Sequence, residues 1–193
     1  MSGCFLVVEG PEGAGKSTLV RELERRLIDA GHRVQMVREP GGTPLAESAR
    51  ALALDPAFHA GSAAELYLML AARADLVEKI IRPQLEAGVV VLADRFDLST
   101  MAYQVGGREL PQDVVERANA LATGGLVPDL AIVLDIPAGV GVQRQWAAGN
   151  AQDRIEQEDG KFYRRVNDRY RAASGAHVVH VHAHDRTPEQ VAD

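Results

Sequence analysis

Cysteine, lysine and long apolar runs are all scarce in this chain, and each scarcity excludes something. The single cysteine, Cys4, rules out an internal disulfide and suits a reducing compartment such as the cytoplasm. No apolar run approaches the ~18 residues of a membrane span, and the N-terminus lacks the basic region that precedes the apolar stretch of a secretion signal, so no membrane association is expected. Positive charge is the minority sign. With 21 Lys and Arg against 27 Asp and Glu, the net charge of −6 argues against a nucleic-acid partner, whose phosphates call for a basic face. A 46% hydrophobic, 25% charged composition carries no bias towards disorder. At 193 residues one domain, 1–193, is expected, with a core that needs neither metal nor disulfide to hold it. No internal repeat or linker interrupts it.

What is present is an alternation of short apolar runs with helical patterns. Cys4-Phe-Leu-Val-Val-Glu9, Arg33–Val37, Val89–Ala93, Leu130–Leu134 and His177–Ala183 read as strands. The third is five apolar residues between Gly88 and Asp94, the pattern of a strand buried on both faces. Helices are expected over Ser17–Ala30, from Pro44 to about Leu54 with Thr43 as N-cap, from Ser62 to near Gly88, and near 97–105 and 111–123. Five strands separated by helices predict an α/β fold, a five-stranded parallel sheet with helices on both faces. Thr187-Pro-Glu-Gln190 is a good helix start that the chain follows for only three residues, which suggests a truncated C-terminal helix.

Gly10-Pro-Glu-Gly-Ala-Gly15-Lys16-Ser17 fits the phosphate-loop pattern, and it stands between an apolar strand and an amphipathic helix, as that motif requires. The glycines let successive amides turn inward onto phosphate oxygens, and the helix N-terminus adds partial positive charge. Gly10, Pro11, Glu12, Gly13, Ala14, Gly15, Lys16, Ser17 and Thr18 are therefore the candidate ATP-binding residues, with Lys16 on the β- and γ-phosphates and Ser17 on Mg²⁺. One of only three lysines in the chain occupies the required slot. The guanine-reading Asn-Lys-x-Asp of GTP switches does not occur.

Ligands of open parallel sheets bind beyond the carboxyl ends of the strands. There stand Glu9, then Arg38-Glu39-Pro40-Gly41-Gly42-Thr43, then Asp94-Arg95, then Asp135. Two arginines at the rim that holds a nucleoside triphosphate suggest a second phosphorylated ligand, which guanidinium forks suit. Asp94, at the tip of a buried strand, is placed to complete the Mg²⁺ shell with Ser17. No candidate general base stands near. An alcohol acceptor would need one, whereas a phosphate monoester, with a second pKa of about 6, is already an anionic nucleophile. These features point to a nucleoside monophosphate kinase.

The chain resembles the thymidylate (dTMP) kinase family from Phe5 to the last strand. The motifs are Glu9-Gly-Pro-Glu-Gly-Ala-Gly-Lys-Ser17, Arg38-Glu-Pro-Gly-Gly-Thr43, Ala71-Ala-Arg73, Asp94-Arg95-Phe96, Ser99-Thr-Met-Ala-Tyr-Gln104, Pro128-Asp-Leu130 and Asp153-Arg-Ile-Glu156. The resemblance implies transfer of the γ-phosphoryl group of ATP to dTMP to give dTDP, with Mg²⁺, in a homodimer. It further implies that Arg38 and Arg95 hold the dTMP phosphate with Arg50 as helper and Pro40 beside them, and that Glu12 lies near the deoxyribose 3′-OH. Arg73 and Gln104, with Ser99 and Thr100, would read the thymine edge. Tyr103 would fill the place of a ribose 2′-OH, and Asp94 would serve Mg²⁺ and the moving phosphoryl group.

Two departures from the family pattern stand out. A lid is expected over about 144–157, yet with Gly13 in the cradle instead of an arginine, Gln145–Gln152 also lacks one, leaving Arg144 and Arg154 to flank it. Together with Lys16, Asp94 and Arg95, these two make the candidate catalytic set. The family's aromatic over the base is replaced by Met69, which can cover a ring through its polarisable sulfur. A kinase for another deoxynucleoside or nucleoside monophosphate, and a nucleotide-binding regulator without turnover, remain the alternatives. His180, His182 and His184 alternate on one strand face, read as the solvated or cleft-facing side of an edge strand in preference to a metal site. Arg164, Arg165, Arg169 and Arg171 are expected to form i,i+4 pairs on a charged helix face. Trp146 lies in the lid.

Overall fold

A computed structural model describes residues 3–137, 139–141, 143–144 and 153–193. Five strands, β1 (Cys4–Glu9), β2 (Val34–Arg38), β3 (Val90–Asp94), β4 (Leu130–Asp135) and β5 (Val178–His182), form one sheet in the order β2-β3-β1-β4-β5. Every pairing is parallel. The order reverses at β1, so the loops leaving β1 and β3 open side by side at the carboxyl edge.

Alternation along the strands sends side chains to two separate cores. Phe5, Val7, Val37, Val91 and Ala93 pack with Leu76, Val77, Ile81 and Phe96 on one face. Val8, Leu92 and Leu134 pack with Leu19 and Val20 on the other. Burial on both faces explains why these strands are almost continuously apolar.

The helices are α1 (Lys16–Asp29), α2 (Pro44–Leu54), α3 (Ser62–Leu76), α4 (Asp97–Thr100), α5 (Gln112–Thr123), α6 (Gly160–Arg171) and α7 (Pro188–Ala192). Thr43 caps α2 as expected, accepting from the Ala46 amide while its hydroxyl donates to Asp75 at 2.5 Å. The helix foreseen from Ser62 to near Gly88 runs through a π-helical stretch at Val77–Ile81 into Arg82–Glu86. Another π-helical run, Met101–Gly107, prolongs α4. Its wider turn changes the facing of the side chains, and such turns occur often at functional sites.

Three local expectations meet a definite outcome. α7 forms where foreseen, with Thr187 and Gln190 in a reciprocal cap, and it is held by α1: Arg26 donates to the Ala192 carbonyl at 3.0 Å and to Asp193 at 2.8 Å. The foreseen i,i+4 pairs on α6 do not form among the described residues. Arg165 instead donates to the Gly106 and Gly107 carbonyls at 3.1 and 2.7 Å, and Arg171 reaches the Ile136 carbonyl at 3.5 Å. Arg165 Nη2 also lies 3.6 Å from the exposed carboxylate of Glu109, an acid outside α6. β5 is an edge strand, where His180 bonds Asp135 and the Ala173 carbonyl. Among the described residues no cluster of three metal-ligating side chains occurs, and no helix is long and apolar enough to cross a membrane. Trp146 and the rest of Gln145–Gln152 lie outside the described residues.

Candidate active site

The loop between β1 and α1 curls because glycine allows it. Gly15, at φ 96°, sits at the N-cap of α1 in open space, so its left-handed backbone alone demands glycine. Gly13 is constrained twice, by φ 68° and by the Gly141 carbonyl, which would lie 2.4 Å from a Cβ. The Lys16 side chain folds over the loop, and Nζ donates to the carbonyls of Gly10 at 2.9 Å and Pro11 at 2.8 Å. Burial, helped by the Arg95 charge and opposed by Asp94, Glu12 and Glu9, brings the Lys16 pKa down to about 7. Ser17 Oγ donates to Asp94 Oδ2 at 2.7 Å. Two hard oxygen groups, one from the head of α1 and one from the end of β3, thus meet beside the cradle, a pair that could hold a divalent cation.

Arg95 follows β3 with φ 76°, a rare value for a residue with a Cβ. Its amide is held by the Val8 carbonyl at 3.0 Å, continuing the β1–β3 ladder past the strand end and fixing where the side chain departs. Nη1 donates to Gly10 O at 3.3 Å, Ser99 Oγ at 3.2 Å and Tyr170 OH at 3.0 Å, and Nη2 to Tyr103 OH at 3.2 Å. Beneath lies Glu9, fully buried. It accepts from the amides of Phe96 and Ser99 and from the hydroxyls of Ser99 and Tyr170. Burial pushes its pKa up. Sequence reasoning put Glu9 at the strand end without a role, and nothing in the sequence pointed to Tyr170, which arrives from α6.

Next to Arg95 opens a cleft of about 110 Å³. Glu12, Pro40, Arg50, Met69 and Arg73 line it together with Arg95, Ser99, Thr100, Tyr103 and Gln104, so ten residues scattered over some ninety positions converge. Four more walls were not foreseen there: Glu39, Leu54, Asp153 and Ile155. Arg73 is buried and its guanidinium is already in use. It binds Glu39 Oε2 through Nε at 2.7 Å, Thr100 Oγ1 at 2.6 Å, Asn119 Oδ1 at 2.5 Å and the Phe96 carbonyl at 2.7 Å. Arg50 donates to the Pro40 carbonyl at 3.1 Å, the peptide before Pro40 being cis. Burial, then the nearby Arg38 charge, lowers its pKa. Glu12 is pushed up by burial against the pull of Arg95. The Tyr163 hydroxyl lies 2.9 Å from the Ile155 carbonyl, to which it donates, and 3.3 Å from Glu12 Oε2.

Three expected residues stand apart from this cleft. Arg38 is half-exposed and forks onto Glu47 at 2.9 and 3.0 Å. Arg154 donates to the Ala53 carbonyl at 2.9 Å and pairs with the buried carboxylate of Glu65. Arg144 donates to the Gly13 carbonyl at 3.0 Å. With Ala14, Gly15 and Thr18 it walls a second cavity on the far side of the cradle, which Leu19, Leu134, Ala183, Arg186 and Val191 complete. Arg186 was missed, although the strand-end rule applied to β5 would have reached it.

A parallel sheet with a phosphate cradle at its order reversal, an Asp–Ser oxygen pair and a cavity on each side defines a phosphate-loop protein built for two ligands. A family model described as thymidylate kinase matches residues 8–193. The thymidylate kinase of Deinococcus radiodurans is 47% identical over 164 residues, covering 85% of this chain and 79% of that protein. That of Pseudomonas entomophila is 48% identical over 176 residues, covering 91% and 83%, and that of Thermosipho melanesiensis 46% over 166, covering 86% and 81%. The chain belongs to the thymidylate kinase family.

Proposed function

We propose that the protein transfers the γ-phosphoryl group of ATP to dTMP, giving dTDP and ADP. The observation that carries this reading is that Arg95 and Glu12 belong at once to the cradle and to the cleft, so a monophosphate in the cleft faces the terminal phosphate in the cradle. ATP occupies the cradle, with its base towards the cavity of Arg144 and Arg186. dTMP occupies the cleft, its base against Met69 and the edge formed by Thr100 and Gln104. Tyr103 fills the space a ribose 2′-OH would need.

The acceptor phosphate is its own nucleophile near neutral pH, so the carboxylates that the structure, unlike the sequence reading, places in the cleft's walls, Glu12, Glu39 and Asp153, are not needed as general bases. Catalysis then rests on positioning and charge. Lys16 leaves the Gly10 and Pro11 carbonyls for the phosphates, and Arg95, braced by Tyr103 and Tyr170, holds the acceptor in line. Arg50 stands close enough to assist it. Arg38 would have to leave Glu47 to take part. Ser17 and Asp94 would hold Mg²⁺, which would supply positive charge against the charge that develops on the transferring phosphoryl group. The segment 144–157 serves as lid and delivers Arg144; Arg154 would have to leave Glu65 and the Ala53 carbonyl to take part. Such a reaction belongs in the cytoplasm, where its nucleotides are made. A homodimer joined through α2, α3 and α5 is supported by the exposure of Leu52, Tyr67, Val114 and Leu121 on those helices.

The test is ADP formation from Mg·ATP with dTMP, dUMP, UMP, dCMP and AMP, for the wild type and Arg95→Ala. Turnover with dTMP preferred, and a fall of ~10²–10³ in kcat for the variant, is expected. Absence of turnover with every acceptor would refute the assignment.

A further inference from the structure

Gln104 lies on the π-helical run after α4, 2% exposed, in the wall of the cleft. Its Nε2 donates to Glu65 Oε1 at 3.0 Å. Glu65, on α3, is fully buried and is not part of that wall. Both of its oxygens also accept from Arg108 Nε, at 3.1 Å each, and Oε2 accepts from Arg108 Nη2 at 2.8 Å and from Arg154. Burial pushes the Glu65 pKa up, but the hydrogen bonds from Arg108, Arg154 and Gln104 outweigh it and hold the group below the usual carboxylate range. An ionised carboxylate only accepts, so the nitrogen of the Gln104 amide has to face it. Gln104 Oε1 then has no partner among the described residues, yet it is not among the sealed, unpaired atoms. It faces the cleft as a bare acceptor.

We propose that Glu65 is a positioning residue for base selection: by holding the Gln104 nitrogen it presents the Gln104 carbonyl to the base as an acceptor. The proposal rests on the functional reading above. Thymine and uracil carry a hydrogen on N3 and can donate to that carbonyl. Cytosine has a bare N3, which would set one acceptor against another. Selection against cytosine is therefore decided by a carboxylate that never touches the ligand. Because a site built around a specific hydrogen bond rejects the ligand that leaves it unpaired, the effect should appear as a ratio between two substrates.

The experiment compares kcat/KM for dTMP and dCMP in the wild type, Glu65→Gln, Glu65→Asp, Gln104→Leu and the Glu65→Gln, Gln104→Leu double variant, with thermal unfolding followed for each. Glu65→Asp keeps a charge beside Arg108 and Arg154 while drawing it back from Gln104, so it stands in if Glu65→Gln does not fold. The dTMP:dCMP ratio should fall about 10-fold or more in either Glu65 variant, mainly through KM for dTMP. In the Gln104→Leu background the Glu65 change should leave the ratio where it is, because the intermediary is gone. An unchanged ratio in a folded Glu65 variant, or an equal loss in the Gln104→Leu background, overturns the proposal. If the wild type turns over neither dTMP nor dUMP, the functional reading fails first and this proposal with it.

Discussion

Lys16 sets a proton balance at the scale of one residue. Its Nζ donates to the Gly10 and Pro11 carbonyls, and burial holds its pKa at about 7 against about 10.5 in an unfolded chain. Between those values the unfolded chain binds the proton and the native chain does not. This group therefore adds stability as pH rises through the window and loses it as pH falls towards 7. A bound triphosphate reverses the balance by favouring the charged form. Calorimetry of ATP binding at pH 8 in buffers of different ionisation enthalpy should thus register uptake approaching one proton, and almost none at pH 6. Equal uptake at both would mean that Lys16 is already charged in the free protein. Tyr170 acts on the same scale. Tyr170→Phe removes a hydroxyl shared by Glu9, Ser99 and Arg95 and leaves buried partners unsatisfied, a cost of about 1–3 kcal/mol. The expected result is a lower melting temperature together with a lower kcat.

At the scale of elements, the π-helical run after α4 matters most, because it turns Tyr103 and Gln104 into the cleft while its glycines admit α6. A Cβ on Gly107 would stand 2.4 Å from the Phe162 ring, itself buried and lying under the Arg108 guanidinium at 4.7 Å. Gly107→Ala should destabilise the protein by about 1–3 kcal/mol through overpacking and raise KM for dTMP as Tyr103 shifts, both measurable by thermal unfolding and steady-state kinetics. The cap of α2 is a simpler case. Thr43→Ala leaves the Ala46 amide without its acceptor and should cost about 1 kcal/mol. Thr43 could be read as a cap from the sequence, since Thr-Pro before a helical pattern is a local signal. The π-helical turns had no such local signal.

For the whole molecule, the outer faces of α2, α3 and α5 carry the large apolar side chains that the proposed homodimer would cover. Tyr67, at 68% exposure, and Leu121, at 84%, are costly to leave in water. Sedimentation should show a dimer for the wild type and a shift to monomer for Tyr67→Arg combined with Leu121→Asp; an unchanged monomer–dimer distribution would place the partner surface elsewhere. The sequence by itself determined the five buried runs and the cradle, because these depend on local periodicity and on glycine geometry over short spans; most cleft residues were reached through the resemblance to the thymidylate kinase family, and the order of the strands only through the structure. The sequence also identified Arg38 and Arg154 as candidates, but not their present partners. Glu47 and Glu65 claim them only because folding brings α2 and α3 alongside. The network of Glu9, Tyr170 and Arg95, and the use of Glu65 to turn Gln104, join residues between 39 and 161 positions apart. No local pattern encodes such distances; the tertiary structure alone decided them, by closing a buried space in which each carboxylate had to find its donors.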